Sequence, residues 1–467
     1  MNPMERRTVL KALAAVGGVA AMRPALGSTL GGLQGTTGAA RASRLDHSRS
    51  LRLVHTDLHN HSFISGDAQG DPFKALHKIR AAGIDVACMT EHAVSGKDHG
   101  QDDCSTWQDG GCRFIEGINQ NDWETMAKIA DEAYEPGRFV SFRGFEYSTP
   151  TVGHLNVWLG SDFTDPLHQE ALVTPREISE MYRVIPPAKP VADLFKNAPD
   201  SARITPFYDW LTSAPGSAIF GGGGDAIASF NHPGYFGNFE DFLFHTAASK
   251  QIFLMEAFNA ITFTQDEAHG HSATDYFWYG RDRGLPQPFN ACLNAGWRVG
   301  FTGVSDEHSG TYGQTGKGRG GLYLDQMTRE GVRRAIMSRR SFGTREAGLR
   351  LDATAEGIPM GGEVHRSSKP ITIKIDIDRG PAWAGKKLYI QVIGSGPKGP
   401  TLLGVMPISV PRPGEPVLSF TIKATGPWMF LRITDPARPC DPLGTAPFED
   451  VTYGGACAYA SPWFFID

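Results

Sequence analysis

The sequence predicts an α/β fold, a largely parallel sheet closed toward a barrel and followed by a small antiparallel β-sandwich. Three observations carry this expectation. Between about residues 50 and 345, short apolar runs of strand length alternate with segments of helical periodicity. That order predicts a parallel sheet or barrel with its chemistry at the C-terminal strand ends. After Arg345 the helical segments stop and alternating β-type runs separated by Gly/Pro turns take over. The composition is globular, with 40% hydrophobic and 20% charged residues in 467. This excludes wholesale disorder and allows two or three domains.

The elements follow in order. Residues 51–56, 84–90, 139–144, 154–159, 226–231, 252–258 and 299–303 read as buried strands, and 71–82 and 124–134 carry helical periodicity. Segments 95–123, 160–218 and 262–298 interrupt the rhythm and read as insertions over one face, where substrate loops normally lie. In the second region, 369–378, 387–393, 417–424, 428–434 and 458–466 read as strands. The expected domains are therefore 44–345 and 346–467.

Residues 1–43 read as a targeting segment rather than part of the fold. Met4-Glu5-Arg6-Arg7-Thr8-Val9-Leu10-Lys11 precedes a mildly apolar stretch, 12–22, and then small residues around Ala25-Leu26-Gly27-Ser28. The paired arginines resemble a bacterial twin-arginine export signal. That reading implies the twin-arginine machinery as a partner and a periplasmic or otherwise exported protein; the competing reading is a short amphipathic helix. No run of eighteen apolar residues follows, so no membrane span is expected after signal removal. Lys+Arg 45 against Asp+Glu 50 gives a net charge of −5, which argues against a dedicated nucleic-acid binder. In an oxidising compartment, Cys104 with Cys112 or Cys440 with Cys457 are candidate disulfides. Cys88 and Cys292 read as buried thiols, and no Cys-x-x-Cys knuckle exists.

Chemistry is concentrated in histidines and carboxylates. Two His-x-His pairs occur, His59-Asn60-His61 and His269-Gly270-His271. With fifteen His in the chain, spacing alone decides nothing and context must. The first pair follows the strand-like run Leu53 to Asp57, and alternate residues on a strand share a face, so His59 and His61 can address one ion. The second lies in a polar stretch and reads as a loop with possible substrate contact. Four more groups stand at or just past apolar runs: Glu91-His92, Glu146 with His154 soon after, His232-Pro233-Gly234 and Asp306-Glu307-His308. Singly, each is more readily a satisfied structural residue. Five such groups at the strand ends of one domain point to a shared ion site. Imidazole with carboxylate suits Zn, Mn or Fe rather than a thiolate-selective metal.

These motifs resemble a known family. Asp57-Leu58-His59-Asn60-His61-Ser62, with Ser65-Gly66-Asp67, is similar to the opening motif of the polymerase and histidinol phosphatase (PHP) superfamily of metal-dependent hydrolases. Thr90-Glu91-His92, Gly144-Phe145-Glu146, Asn231-His232-Pro233 and Ser305-Asp306-Glu307-His308 match its later motifs in order across about 50–310. Gly153-His154-Leu155-Asn156-Val157, the late β-domain and the export signal are similar to the exported carbaryl (N-methylcarbamate) hydrolase branch. The resemblance implies a distorted (β/α)7 barrel with two to three divalent ions. It implies His59, His61, Glu146 and Asp306 around the first ion, with Glu146 bridging to a second completed by His154 and His232. Asp67, His92 and His308 would hold the third. Some members carry His at the position of Asp67, and many carry Asp at that of Glu91.

The implied chemistry is attack of a metal-bridging hydroxide on the phosphorus or carbonyl centre of a small-molecule phosphoester, carbamate or carboxyl ester. Glu146 and Asp306 would be the catalytic carboxylates. Arg143 would either stabilise an oxyanion or pair with a carboxylate. No Gly-x-Ser-x-Gly elbow follows a strand, and the Gly run 221–224 reads as a turn because Asp225 follows it. His269, His271 and Glu307 are candidate general acids, and Asn156 and Asn231 candidate supports of the ligands. Trp210, Phe263, Trp278 and Trp297 either wall an aryl pocket or pack the core. The alternative class is a non-catalytic metal- or carbohydrate-binding envelope protein.

Overall fold

The computed structural model describes residues 44–65, 68–93, 118–149, 152–165, 204–217, 221–235, 237–260, 273–280, 286–396 and 398–467. The expected export signal, Asp67, Cys104, Cys112, Phe263, His269 and His271 lie outside them. Among the described residues, no helix is long and apolar enough to cross a membrane.

The architecture is mixed α/β and rich in strands. In chain order the first strands are β1 (Arg52–Asp57), β2 (Val86–Met89), β3 (His92–Ala93), β4 (Val140–Thr149), β5 (Gly153–Trp158), β6 (Ile227–Phe230), β7 (Ile252–Asn259), β8 (Thr274–Asp275), β9 (Gly300–Gly303), β10 (Arg319–Leu324) and β11 (Ser341–Thr344). The later ones are β12 (Arg350–Ala355), β13 (Ile358–Pro359), β14 (Glu363–His365), β15 (Ile371–Asp378), β16 (Lys387–Gly394), β17 (Thr401–Ser409), β18 (Leu418–Ile422), β19 (Trp428–Asp435) and β20 (Gly455–Ile466).

The strand register departs from the all-parallel expectation. β1–β2, β2–β4, β6–β7 and β7–β9 pair parallel, whereas β4–β5, β5–β6 and β1–β10 pair antiparallel. The reason for β4–β5 is chain length. Only residues 150–152 separate the two strands, and a parallel crossover needs a dozen or more. Among the described residues, helices are also fewer than strict strand-helix alternation predicts.

The first two described helices are capped by their own sequence. In α1 (Pro72–Ala81), Asp71 accepts from Phe73 N and Pro occupies the first turn. Asn119 and Asp122 make a capping box for α2 (Gln120–Ala133), which explains a start four residues before the periodicity alone suggests. α1 buries Leu76 and Ile79, and α2 buries Ile129 and Ala133, in one cluster with Met89 of β2. Further helices are α3 (Thr205–Thr212), α4 (Pro288–Asn294) and α5 (Arg329–Met337).

The main sheet continues into the C-terminal strands in the order β17-β16-β19-β20-β11-β10-β1-β2-β4-β5-β6-β7-β8. A four-stranded antiparallel sheet, β13-β12-β15-β18, shares one apolar core with it, including Leu351, Ile373, Ile390, Leu431 and Trp463. All four described cysteines are free, so the candidate Cys440–Cys457 bridge is not formed. Cys457 is buried within β20, and the Cys440 thiol donates to Asp450 O at 3.2 Å. Cys88 and Cys292 are buried thiols, as expected.

Candidate metal centre

Backbone pairing delivers the polar side chains to one place. Past β1, Asp306 N donates to His59 O and His61 N to Glu307 O, each at 3.0 Å. The two motifs therefore run side by side. On β3 and β4, His92 pairs with Glu146, and β5 places Asn156 opposite Glu146 and His154 opposite Ser148. Gly153 adopts φ +131°, and a Cβ there would lie 2.5 Å from the Phe239 ring. Glycine is thus required immediately before His154. His232 (φ 21°) and Asp306 (φ 48°) are non-glycine residues at positive φ, the kind of backbone strain that clusters at functional sites.

Eight of the nine expected ligands converge; the ninth, Asp67, is not among the described residues. His59 Nε2 lies 3.1 Å from Glu146 Oε1 and 3.2 Å from Asp306 Oδ1. His61 Nε2 is 3.2 Å from Asp306 Oδ1. Around Glu146, His92 approaches Oε2 at 2.7 Å, and His154 and His232 each approach Oε1 at 3.2 Å. His308 Nδ1 is 3.4 Å from Asp306 Oδ1. Four overlapping triads result, each with its ligand atoms within 4.8 Å of one another: His61/His92/His308, His59/His232/Asp306, His59/His61/Glu146 and His92/Glu146/His154. The first three ligands expected for one ion meet as a triad, and Asp306 groups with His59 and His232. His92 stands both with His308 and with Glu146 and His154. His59, His61 and Glu146 are fully buried, while the partly exposed His308 marks the outward side.

Hydrogen bonding fixes which ring nitrogens can bind a cation. His59 Nδ1 faces Glu256 Oε1 at 2.8 Å, so that nitrogen carries the proton. Ser65 Oγ donates to Glu91 Oε2 at 2.5 Å. The hydroxyl has one proton, so toward His61 Nδ1, 3.0 Å away, it can only accept. When neutral, both imidazoles therefore present Nε2 lone pairs, and the two nitrogens face each other at 2.9 Å beside two carboxylate oxygens. Among the described residues, buried Asp306 Oδ1 receives no hydrogen bond. Converging acceptors without protons between them form a cation site, so this donor set fits divalent ions.

The electrostatics set the two rings apart. Burial, aided by the His92 and His308 rings, pushes His61 down to about 3. Burial also brings His154 to about 4 against the pull of Glu146. Burial opposes charge on His59 too, yet Asp306, Glu146 and Glu256 raise its pKa well above the usual value, so without a metal ion a proton on Nε2 occupies the place among these oxygens that a cation would take. Burial works against the carboxylates of Glu146 and Asp306, but the surrounding imidazoles hold both well below the ordinary range.

Several residues around the centre escaped sequence reasoning. Fully buried Glu256 holds His59 through Oε1 and receives His232 N at 2.7 Å and Asn259 Nδ2 at 2.8 Å through Oε2. Asn259 Nδ2 also reaches Asp306 Oδ2 at 3.0 Å. The available signal was an acid inside the apolar run of β7. Ser65 stood in the opening motif without a role, and Ser148 was passed over, although its Oγ lies 2.8 Å from His92 Nδ1. Of the expected supports, Asn231 donates to Glu146 Oε1 at 2.8 Å, and Asn156 lies 3.5 Å from Glu256.

Other candidates go elsewhere. Arg143 stacks over Trp123 at 3.8 Å and donates to the carbonyls of Gly160 and Ser161. It stands three residues from Glu146 on β4, so the two side chains leave opposite faces of the strand. Glu307 is committed to Lys317, Ser309 and Thr311, which hold it ionised against burial and unsuited as an acid. Trp210 packs on Phe145, Trp278 bonds Glu449 and Trp297 bonds Phe242 O. These three indoles pack the core.

Comparison with known proteins adds little. The model of a family described as a protein of unknown function, DUF3604, matches residues 45–162. No curated protein matches the chain. The crystal structure of a two-domain protein from Bacteroides vulgatus, containing a predicted PHP-like metal-dependent phosphoesterase, aligns over 91% of this chain and 98% of its own, with 15% identity and a TM-score of 0.38.

Proposed function

We propose that this protein is a metal-dependent hydrolase of ester-type bonds, of the PHP kind, acting on a small-molecule phosphoester, carbamate or carboxyl ester. The observation that carries the proposal is the pair of His59 and His61 Nε2 atoms, 2.9 Å apart and ringed by Glu146 and Asp306. The ordered motifs from His59 to His308 support it. Two or three divalent ions of the Zn, Mn or Fe type would be held by His59, His61, His92, Glu146, His154, His232, Asp306 and His308, with Asp67 as a further ligand. Bound there, they would supply Lewis acidity toward the scissile group and a water acidified toward neutrality. The distorted (β/α)7 barrel, a division near residue 345 and twin-arginine export belong to the same proposal.

The chain's own residues have defined parts. Glu146 reaches His59, His92, His154 and His232, so one carboxylate joins the triads. Asn231 and Asn259 orient the Glu146 and Asp306 oxygens. Glu256 and Ser65 retain the Nδ1 protons of His59 and His61. Burial excludes bulk water from this assembly and strengthens each charge interaction within it.

Elemental analysis of the purified, unreconstituted protein, paired with hydrolysis assays on p-nitrophenyl phosphate and 1-naphthyl N-methylcarbamate, tests the proposal. Bound transition metal with turnover of one ester supports it and selects the ester class. Metal without turnover of any ester would favour the metal-binding alternative, and absence of metal would sink the hydrolase reading and leave only carbohydrate binding.

A further inference from the structure

Beside the centre lies a buried phenol that its surroundings leave without a partner. Tyr276 is fully buried, and among the described residues its hydroxyl makes no hydrogen bond. Its backbone N donates to Ala257 O at 3.0 Å, which sets it next to Glu256 on β7. Its ring is 6.4 Å from that of His232 and stacks on Tyr279 at 4.7 Å. Tyr235 completes the group, 5.6 Å from Tyr279 and 5.7 Å from His232. The preceding residue, Asp275, is anchored by Tyr459 Oη at 2.9 Å and by buried Arg432. The segment is thus fixed from the C-terminal strands. A buried hydroxyl without a partner is a standing cost to folding, and such groups call for an explanation.

We propose that Tyr276 donates its hydrogen bond to an oxygen of the bound ester, the oxygen that gathers negative charge as the bond is cleaved. The inference rests on the hydrolase reading above. Phosphoryl and acyl transfer share this developing oxyanion, and a preplaced neutral donor stabilises it without giving up its proton. Burial first, then the neighbouring Tyr279 and Tyr235 and the carboxylates of Asp306 and Glu256, resist ionisation of this phenol, so it stays a donor. The rings of Tyr235 and Tyr279, both only partly buried, fit an aryl or other flat substituent of the same ester.

Tyr276→Phe in the full chain, carrying its own metal, tests this. Tyr208→Phe is the control, because Tyr208 is also a buried phenol whose hydroxyl makes no hydrogen bond among the described residues but neighbours Cys292 and Glu240 instead. The expected result for Tyr276→Phe is unchanged metal content and an unchanged or higher melting temperature. Affinity for inorganic phosphate in calorimetry should weaken at least about 10-fold, and kcat/KM should fall about 100-fold on whichever ester the wild type cleaves. Tyr208→Phe should match the wild type in both. Wild-type affinity and turnover in Tyr276→Phe would overturn the inference while leaving the hydrolase reading intact. Loss of metal in that variant would make Tyr276 part of the ion-holding structure and also overturn it. A wild type that neither binds phosphate nor cleaves any ester removes the hydrolase reading and this inference together.

Discussion

Glu256 Oε1 lies 2.8 Å from His59 Nδ1, with both side chains fully buried. The contact determines which nitrogen of His59 is left to bind an ion. Glu256→Gln weakens that control, because one face of the amide must present a donor where Glu256 now accepts. Outer partners of this kind are worth about 10–100-fold in metal affinity, and the same loss is expected here. Titration of the metal-free protein with Co2+, followed by its visible absorption, measures it. An affinity equal to the wild type would refute the role of Glu256.

His61→Ala removes a lone pair that takes part in two of the four triads. Bound metal and ester hydrolysis should fall together, by more than the about 10–100-fold of an outer-partner change. Arg143→Gln should retain the wild-type metal stoichiometry, since Arg143 contacts Trp123 and backbone carbonyls away from the cluster. Elemental analysis of both variants checks this contrast.

Arg432 is fully buried between Glu449, Asp275, Gln391 and Tyr459. Removing one member of a buried pair leaves an uncompensated charge, so Arg432→Ala should cost about 3–5 kcal/mol. Denaturant unfolding measures this loss. The segment bearing Tyr276 should become protease-sensitive in the same variant.

Burial, reinforced by Asp275 and Glu449, lifts the Asp441 carboxyl from 3.8 to about 7. Between those values the folded chain holds a proton that the unfolded chain has lost, so this group's contribution to stability falls as pH rises through that window. Asp441→Asn should therefore raise the melting temperature relative to wild type at pH 8 and change it little at pH 4. An equal shift at both pH values would contradict the assignment.

Much of this could be read from residues alone because apolar runs and chemical residues fall in register along the chain. The runs at 51–56, 252–258 and 299–303 correspond to β1, β7 and β9, and eight of the marked His, Asp and Glu residues meet in space. Pairing direction was not legible, since it depends on connection length, as the three residues between β4 and β5 show. Nor was the role of Glu256. A lone acid in an apolar strand indicates a buried partner without saying which one, and that partner, His59, lies 197 positions away. Arg143 misled because proximity in sequence to Glu146 is not proximity across a pleated strand.

Because β20 pairs with both β11 and β19 and Ser461 Oγ accepts from Phe301 N on β9 at 2.9 Å, a strand 160 positions further along the chain braces the one that leads to Asp306. A change in β20 can therefore reach the ion-holding cage through the backbone of β9, although no side chain of β20 belongs to the cage.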